Sequence, residues 1–388
     1  MASNDPVRYA MVGGGLDAFI GGVHRRAAAL DGELTLVAGA LSKDADVAKE
    51  SGAAFGVASD RAYLSIDELI AGELVRDAGE RAELVSIVTP NFLHFEQAKA
   101  CLEAGFHVLV EKPMTMTSGE ARELEALARD RSLACVVMYT YTGYPMVREA
   151  RARCLAGELG TVRKVFVEYH QGWLSAKVEN EGVQQAEWRT DPKRAGIGGA
   201  LGDIGSHAEN LVSFITGLEI DSLSVDLTSF VDGRALDDDA AVLLRFRGGA
   251  KGVLTASQIC AGEGNGLSIR VYGDKGGLRW RQETPEFLEV LSLDGPTREI
   301  VRGGPRNGDA ATAGSRIPVG HPEGFIEAFG NIYRGAAELV RARREGREAE
   351  GLGLLTPGAA EGRRGLRFIE LCVESSANGS AWTAWSDD

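Results

Sequence analysis

An apolar run, Val7-Arg8-Tyr9-Ala10-Met11-Val12, stops on Gly13-Gly14-Gly15. A short continuous apolar segment halted by glycine is the signature of a strand buried on both faces of a parallel sheet. After it, Val23, Ala27 and Leu30 recur at helical spacing. Parallel neighbours need crossovers of a dozen residues or more, usually helical, and the next stretch supplies them. Leu34–Ala40, Leu84–Thr89, His107–Glu111 and Ala134–Tyr139 read as further strands, with helices predicted over Phe92–Ala104 and Ala121–Asp130. Alternation of this kind from Val7 to Tyr139 predicts an α/β fold with a doubly wound parallel sheet, the Rossmann arrangement.

The pattern then changes. Val162–Tyr169, Ala240–Phe246, Gly252–Ile259, Leu267–Tyr272 and Leu278–Arg281 read as strands in quick succession. Arg247-Gly248-Gly249-Ala250 and Gly273-Asp274-Lys275-Gly276 are their hairpin turns. This predicts a second α/β domain on an open, mostly antiparallel sheet, one face of which is available to a partner. The expected division is residues 1–138 for dinucleotide binding and 139–388 for substrate binding and oligomerisation. Two closing helices, Glu323–Arg344 and Pro357–Ser376, are free to pack back on the first domain. A length of 388 residues agrees with two cores. Gly303–Gly320 is expected as a mobile loop, and Asp237-Asp238-Asp239 as the polar entry to a strand in preference to a metal site.

A formal charge of −14 argues against a nucleic-acid partner. It leaves room for an anionic cofactor, which a helix N-terminus holds through backbone N–H groups. The five cysteines are scattered and form no CxxC pair, as expected of reduced thiols in the cytoplasm. Met1–Pro6 is polar, with no basic stretch leading into an apolar one, and no run is long enough for a membrane span. A membrane partner is therefore not expected.

Gly13-x-Gly15-x-x-Ala18 after a strand permits a tight turn and close approach of a pyrophosphate, with a small third residue for helix–strand packing. Leu16, Asp17, Phe19 and Ile20 belong to the same turn. The acidic residue expected to hold the adenosine ribose is missing; Ser42 and Lys43 stand nearest, which leaves NAD and NADP both open. Thr89, Pro90, Asn91 and His94 end a strand and open a helix at the ligand-bearing edge of the sheet, as candidates for nicotinamide-side contacts. Glu111 and Lys112 end the next strand, and Pro113 biases Lys112 toward an extended backbone. Lys112 either binds a substrate hydroxyl and the nicotinamide ribose or is an ordinary surface lysine.

Asp203 and His207 are four apart and share a face if helical. Histidine is the natural proton acceptor near neutral pH, with Asp203 orienting it or binding a second hydroxyl. The bland readings are a capping acid with a core histidine, or a metal pair; no further ligands accompany them, so no metal is expected. Tyr139, Tyr141, Tyr144, Trp173, Trp188, Arg189 and His321 are candidates for sugar recognition, which favours an aromatic face with a polar rim. Of these, Tyr141, Trp188, Arg189 and His321 are taken with Lys112, Asp203 and His207 as the substrate set.

GGGLDA, TPNFLH, EKP and GGALGDIGSHAEN, in that order, resemble the Gfo/Idh/MocA family of oxidoreductases from Arg8 to about Val373. The resemblance implies an N-terminal Rossmann domain and a C-terminal domain whose open sheet forms dimers or tetramers. It also implies that Lys112, Asp203 and His207 match the family's catalytic triad, with His207 the base. The long turn Gly15–Gly21 and Gly320-His321-Pro322-Glu323-Gly324-Phe325 resemble the branch of levoglucosan dehydrogenase and inositol-dehydrogenase-like proteins, and imply NAD. The expected activity is oxidation of a secondary hydroxyl of a sugar, anhydrosugar or cyclitol. The rivals are an NAD-assisted glycosidase or intramolecular sugar oxidoreductase, and a non-catalytic sensor of nucleotide or sugar.

Overall fold

A computed structural model describes residues 5–386 except Asp17 and Asn180, so the aspartate of the glycine turn lies outside the described residues. The chain forms two compact units. The first comprises residues up to Thr115, Gly119–Gly143 and Phe325–Arg363; the second comprises Met116–Ser118, Tyr144–Gly324 and Arg364 onward. The helix Phe325–Glu345 thus belongs to the first unit, and the helix Ala359–Ala377 contributes to both.

Five strands make the sheet of the first unit: β1 (Val7–Val12), β2 (Leu34–Ala40), β3 (Leu84–Ile87), β4 (His107–Val110) and β5 (Cys135–Val137). All pair in parallel, in the order β2-β1-β3-β4-β5. The order reverses between β1 and β3, so the carboxyl ends of these strands frame the place where ligands of open α/β sheets sit. Continuous apolar strands put Tyr9, Met11, Leu84 and Leu109 in one core with Val23 and Ala27 of the helix Phe19–Ala29. Phe329, Ile332, Tyr333, Ala336 and Val340 of the late helix complete that core.

The second unit carries nine strands: β6 (Val162–His170), β7 (Ile220–Thr228), β8 (Asp239–Phe246), β9 (Lys251–Ser257), β10 (Gly266–Gly273), β11 (Gly276–Arg281), β12 (Phe287–Ser292), β13 (Arg298–Val301) and β14 (Thr383–Ala384). Their order is β13-β12-β11-β10-β6-β9-β8-β7-β14. β6 and β9 run parallel, while the other neighbours are antiparallel. Both predicted glycine hairpins form, joining β8 to β9 and β10 to β11. On β6, Val165, Val167 and Tyr169 alternate inward, toward the face covered by the helices Pro145–Leu155 and Ser206–Thr216. Phe166, Glu168 and His170 alternate onto the other face, beside Arg270 and Tyr272.

One expectation is corrected, and another, the acidic run as the entry to β8, is met and extended. Gly303–Gly320 is a built segment, because buried Arg302 donates to Glu286, Glu323 and the carbonyl oxygen of Ile317, and the stretch holds a helical turn at Asp309–Ala313. The acidic run does more than open a strand. Asp238 is fully buried and accepts from the N–H groups of Phe230 and Val231 and from Arg234, while Asp237 turns back toward residues 199–201. Among the described residues no helix is long and apolar enough to cross a membrane.

Candidate active site

In the first unit the glycine turn is shaped by what surrounds it. Gly13 (φ +79°) and Gly14 (φ +74°) occupy the left-handed region that disfavours side chains. A Cβ on Gly13 would lie 2.9 Å from the Thr89 methyl, and one on Gly15 2.9 Å from the Leu41 carbonyl oxygen. The small residue that lets the helix approach the turn is not Ala18 but Gly21, whose Cβ would fall 2.4 Å from Gly14 Cα. Ala18 precedes the helix, which has no side-chain cap and no acidic group in its first turn. Uncapped first-turn amides beside a turn without side chains fit a pyrophosphate, and on that observation the site suits a dinucleotide.

The other predicted cofactor residues divide into exposed and internal groups. Leu16 and Phe19 are exposed, Ile20 packs on the core, and the Leu16 N–H donates to Ser51 Oγ at 3.2 Å. Ser42 Oγ accepts from the Asp44 N–H at 3.1 Å, Lys43 is exposed, and Asp44 caps the helix Ala45–Ala54. Thr89 donates to Gln97 Oε1 at 2.6 Å, and Pro90 leads into a tight turn holding buried Asn91. His94 is not a surface contact. It is fully buried, with Nδ1 2.8 Å from the Pro113 carbonyl oxygen and Nε2 2.7 Å from that of Thr89. It therefore ties the loop after β3 to the loop after β4, and burial holds its pKa below the usual histidine value.

Glu111 and Lys112 follow β4 directly, and the Lys112–Pro113 bond is cis. The Lys112 N–H donates to Glu111 Oε2 at 3.0 Å, and His24 Nε2 lies 2.8 Å from Oε1. Burial pushes the Glu111 carboxyl up, but the His24 hydrogen bond and the charges of His24 and Lys112 outweigh it and leave its pKa below the ordinary range. Tyr139 and Tyr141, both candidates for sugar recognition, are buried. Thr140–Gly143 is a tight helical turn that carries Tyr141 inward.

In the second unit Asp203 lies in a π-helical turn, Leu201–Gly205, and His207 in the α-helix Ser206–Thr216 that continues it. The uninterrupted α-helix expected across this pair is thus widened at its start. Asp237 fixes the entry. Its carboxylate accepts from the N–H groups of Gly199 (2.6 Å) and Leu201 (2.7 Å), and its carbonyl oxygen from that of Ala200 (2.9 Å). Asp203 Oδ2 accepts from Gln258 Nε2 at 2.9 Å and lies 3.3 Å from Arg189 Nε. Arg189 stacks at 4.2 Å on the Trp188 ring, and His207 is buried beside Tyr169, ring centroids 6.3 Å apart. Tyr144 is buried against Trp280. His321 is exposed, and its carbonyl oxygen accepts from Arg302.

Several polar residues of this cluster escaped the sequence reading. Gln171 Oε1 accepts from Trp173 Nε1 at 3.0 Å and lies 3.4 Å from Gln258 Nε2. Its own amide donates to Asn265 Oδ1 at 2.8 Å, which also accepts from the Tyr169 hydroxyl at 2.7 Å. Gln171 and Gln258 are the first residues beyond β6 and β9. Parallel pairing brings the two strand ends to one edge, a fact no local pattern reveals. Three amides, a carboxylate, an arginine and two tryptophans can together bind several hydroxyl groups at once.

Comparison with known proteins follows the same division. Residues 7–141 match the model of an oxidoreductase family with an NAD-binding Rossmann fold, and residues 147–279 that of the GFO/IDH/MocA C-terminal domain. The chain is 37% identical to the uncharacterized oxidoreductase YfiI of Bacillus subtilis, covering 97% of this chain and 96% of that protein. It is 26% identical to levoglucosan dehydrogenase of Pseudarthrobacter phenanthrenivorans, over 76% and 78% of the two chains. Among solved structures, an inositol dehydrogenase homolog from Azotobacter vinelandii complexed with NAD+ superimposes with a TM-score of 0.93 at 36% identity, covering 98% of both chains. The same homolog has been solved with NADH and myo-inositol (TM-score 0.90, 35% identity, 98% of both chains).

Proposed function

As a member of the Gfo/Idh/MocA family this chain is an NAD-dependent oxidoreductase, and we propose that it oxidises a secondary hydroxyl of a cyclitol or sugar to a ketone. NAD, when bound, takes up the hydride that leaves the substrate carbon. The rest of the chemistry falls to the chain. Lys112 holds the reacting hydroxyl through its ammonium and steadies negative charge as it develops on that oxygen. His207 takes the hydroxyl proton, and Asp203 binds a neighbouring hydroxyl or orients the imidazole. Gly13, Gly14 and Gly15 admit the pyrophosphate.

The observation that carries this reading is the cluster around Asp203. A carboxylate restrained by Gln258 and Arg189 and continuous with Gln171 and Asn265 suits a neutral polyhydroxy ligand. The relative solved with myo-inositol supports a cyclitol, and levoglucosan dehydrogenase supports an anhydrosugar. The test is to follow reduced nicotinamide with myo-inositol, scyllo-inositol and levoglucosan, in wild type and Lys112→Ala. The variant should lose nearly all turnover while binding NAD as before. Unchanged turnover would reject the role of Lys112, and release of a sugar without net reduced cofactor would favour the glycosidase chemistry.

We further infer that two copies associate through the uncovered face of the nine-stranded sheet. Phe166 and Tyr272 stack edge to face there, beside the Glu168–Arg270 pair. Phe166→Glu should lower the sedimentation coefficient to that of a smaller species. Cys101, Cys135, Cys154 and Cys372 are buried, with thiols that burial pushes up, which supports a reducing compartment such as the cytoplasm.

A further inference from the structure

His24 belongs to the helix Phe19–Ala29 that follows the glycine turn, and its side chain is fully buried. A buried imidazole must have its two nitrogens satisfied. Nδ1 is 2.7 Å from the Tyr333 hydroxyl and Nε2 is 2.8 Å from Glu111 Oε1. The Tyr333 hydroxyl in turn is 2.7 Å from Ser86 Oγ on β3. Glu111 completes the chain by accepting the Lys112 N–H on its other oxygen.

One direction follows from the partners: an ionised carboxylate only accepts, so Nε2 donates to Glu111, while Nδ1 shares a hydrogen bond with the Tyr333 hydroxyl. Burial keeps the Tyr333 phenol protonated, so that hydroxyl can bond Nδ1 and Ser86 Oγ together. One set of protons satisfies every group in the chain Ser86–Tyr333–His24–Glu111–Lys112. Four elements meet in it: β3, the late helix, the helix that opens at the dinucleotide turn, and the end of β4. The ring is further held edge-on by Phe329, with centroids 5.1 Å apart.

We propose that His24 is a positioning residue for the reaction: clamped by Tyr333, it fixes the Glu111 carboxylate that holds the backbone of Lys112. The inference rests on the role of Lys112 given above. It explains why a histidine outside the reactive set is enclosed so completely, and why Glu111 faces inward. Without the Nε2 donor, Glu111 keeps a single backbone partner and the lysine turn loses its anchor to the dinucleotide helix.

The test uses the full-length enzyme in three variants, with turnover read on the most active of myo-inositol, scyllo-inositol and levoglucosan. Asparagine at 24 can meet Tyr333 but not Glu111, whereas glutamine reaches Glu111. His24→Asn should lower kcat roughly tenfold to a hundredfold, the scale of a misplaced reacting group, with KM for NAD within about twofold. His24→Gln should restore most of it, and Tyr333→Phe should fall between them. Amide exchange across residues 107–115, read by mass spectrometry without substrate, should quicken in His24→Asn and not in His24→Gln. Wild-type kcat and wild-type exchange in His24→Asn would overturn the proposal. So would equal losses in the asparagine and glutamine variants. Lys112→Ala is run beside them: if it retains turnover, the reading of Lys112 fails, whereas the exchange result on His24 is unaffected by that failure.

Discussion

Gly21 and Gly22 are neighbours in one helix, yet alanine at the two positions should act in opposite directions. A Cβ on Gly21 would stand 2.4 Å from Gly14 Cα and 2.6 Å from its carbonyl oxygen, where ordinary contact begins at 3.4 Å. Those atoms are backbone, so relief requires helix and turn to part by about 1 Å. Because the obstruction is backbone, the overpacking cost falls in the upper part of the usual range, about 2–3 kcal/mol, against about 1 kcal/mol gained by replacing glycine with alanine in a helix. The net loss is about 1–2 kcal/mol. A Cβ on Gly22 meets only the Arg26 guanidinium at 3.8 Å, so there the helical gain of about 0.5–1 kcal/mol stands alone. At roughly 2–4 °C per kcal/mol, Gly21→Ala should lower Tm by about 2–8 °C and Gly22→Ala raise it by about 1–4 °C. The turn displaced by Gly21→Ala is the one read as the pyrophosphate cradle, so its Kd for NAD should weaken about tenfold, equivalent to 1.4 kcal/mol. Gly22→Ala should bind as wild type. Scanning calorimetry and NAD titration calorimetry on the pair measure both quantities. Wild-type Tm and Kd in Gly21→Ala would refute the close-approach reasoning.

Three further outcomes are expected. Asp237→Ala strands the N–H groups of Gly199 and Leu201, at about 1–3 kcal/mol for each left unsatisfied, so chemical denaturation should show a loss of roughly 2–6 kcal/mol. Gln258→Leu removes a donor to the Asp203 carboxylate and should raise KM for the polyol about tenfold without moving the NAD Kd. His107 accepts the Ala134 N–H on Nδ1 at 2.9 Å, and burial, aided by the charge of Arg343, brings its pKa down to about 4. Between its unfolded value of 6.5 and about 4, the unfolded chain binds a proton that the folded chain refuses. Stability is therefore lost as pH falls through that window, by up to about 3 kcal/mol. His107→Asn offers an oxygen to the same N–H and cannot titrate, so its Tm should fall less between pH 6.5 and 4; superimposable Tm–pH curves would contradict this.

The parallel sheet was legible because its strands are continuous apolar runs, and β1 ends on glycines that leave one interpretation open. What stayed hidden has physical causes. The helices Ala45–Ala54 and Ile66–Leu74 are rich in small or exposed residues and show little apolar contrast. Their caps, Asp44 and the Ser65–Glu68 pair, were the signal that could have found them. Pro145–Leu155 is obscured for the opposite reason: its buried face includes Arg148 and Glu149, so charge and exposure do not coincide. The glycine fingerprint pointed to the right turn and the wrong third position, because the longer turn moves the close contact from Ala18 to Gly21. Gln171 and Gln258 could not be paired from sequence, since their proximity depends on parallel alignment of strands 87 residues apart along the chain.

Three segments bearing proposed reactive or recognition groups are each held by a buried or half-buried carboxylate that accepts backbone N–H groups. Glu111 accepts from Lys112, Asp237 from Gly199 and Leu201 ahead of Asp203, and Glu323 from Arg316 and Ile317 ahead of His321. Within a regular strand or helix the backbone donors are already committed to the ladder or the next turn. Where the backbone leaves regular structure, those donors need a partner, and a charged acceptor binds roughly twice as strongly as a neutral one. The cost is a desolvated charge, and the three sites meet it differently. Glu323 is offset by Arg302, whose guanidinium also carries Glu286. Glu111 has His24 as a donor and Lys112 as a nearby cation. For Asp237 burial dominates: its pKa is raised, backbone donors pull it down, and Asp238 pushes it up again. Raised above its unfolded value, this carboxyl favours the folded state most when protonated, so its contribution declines as pH rises from the unfolded value through the folded one. Burial thus opposes ionisation of the anchor ahead of Asp203, which holds the widened turn from which the helix of His207 departs.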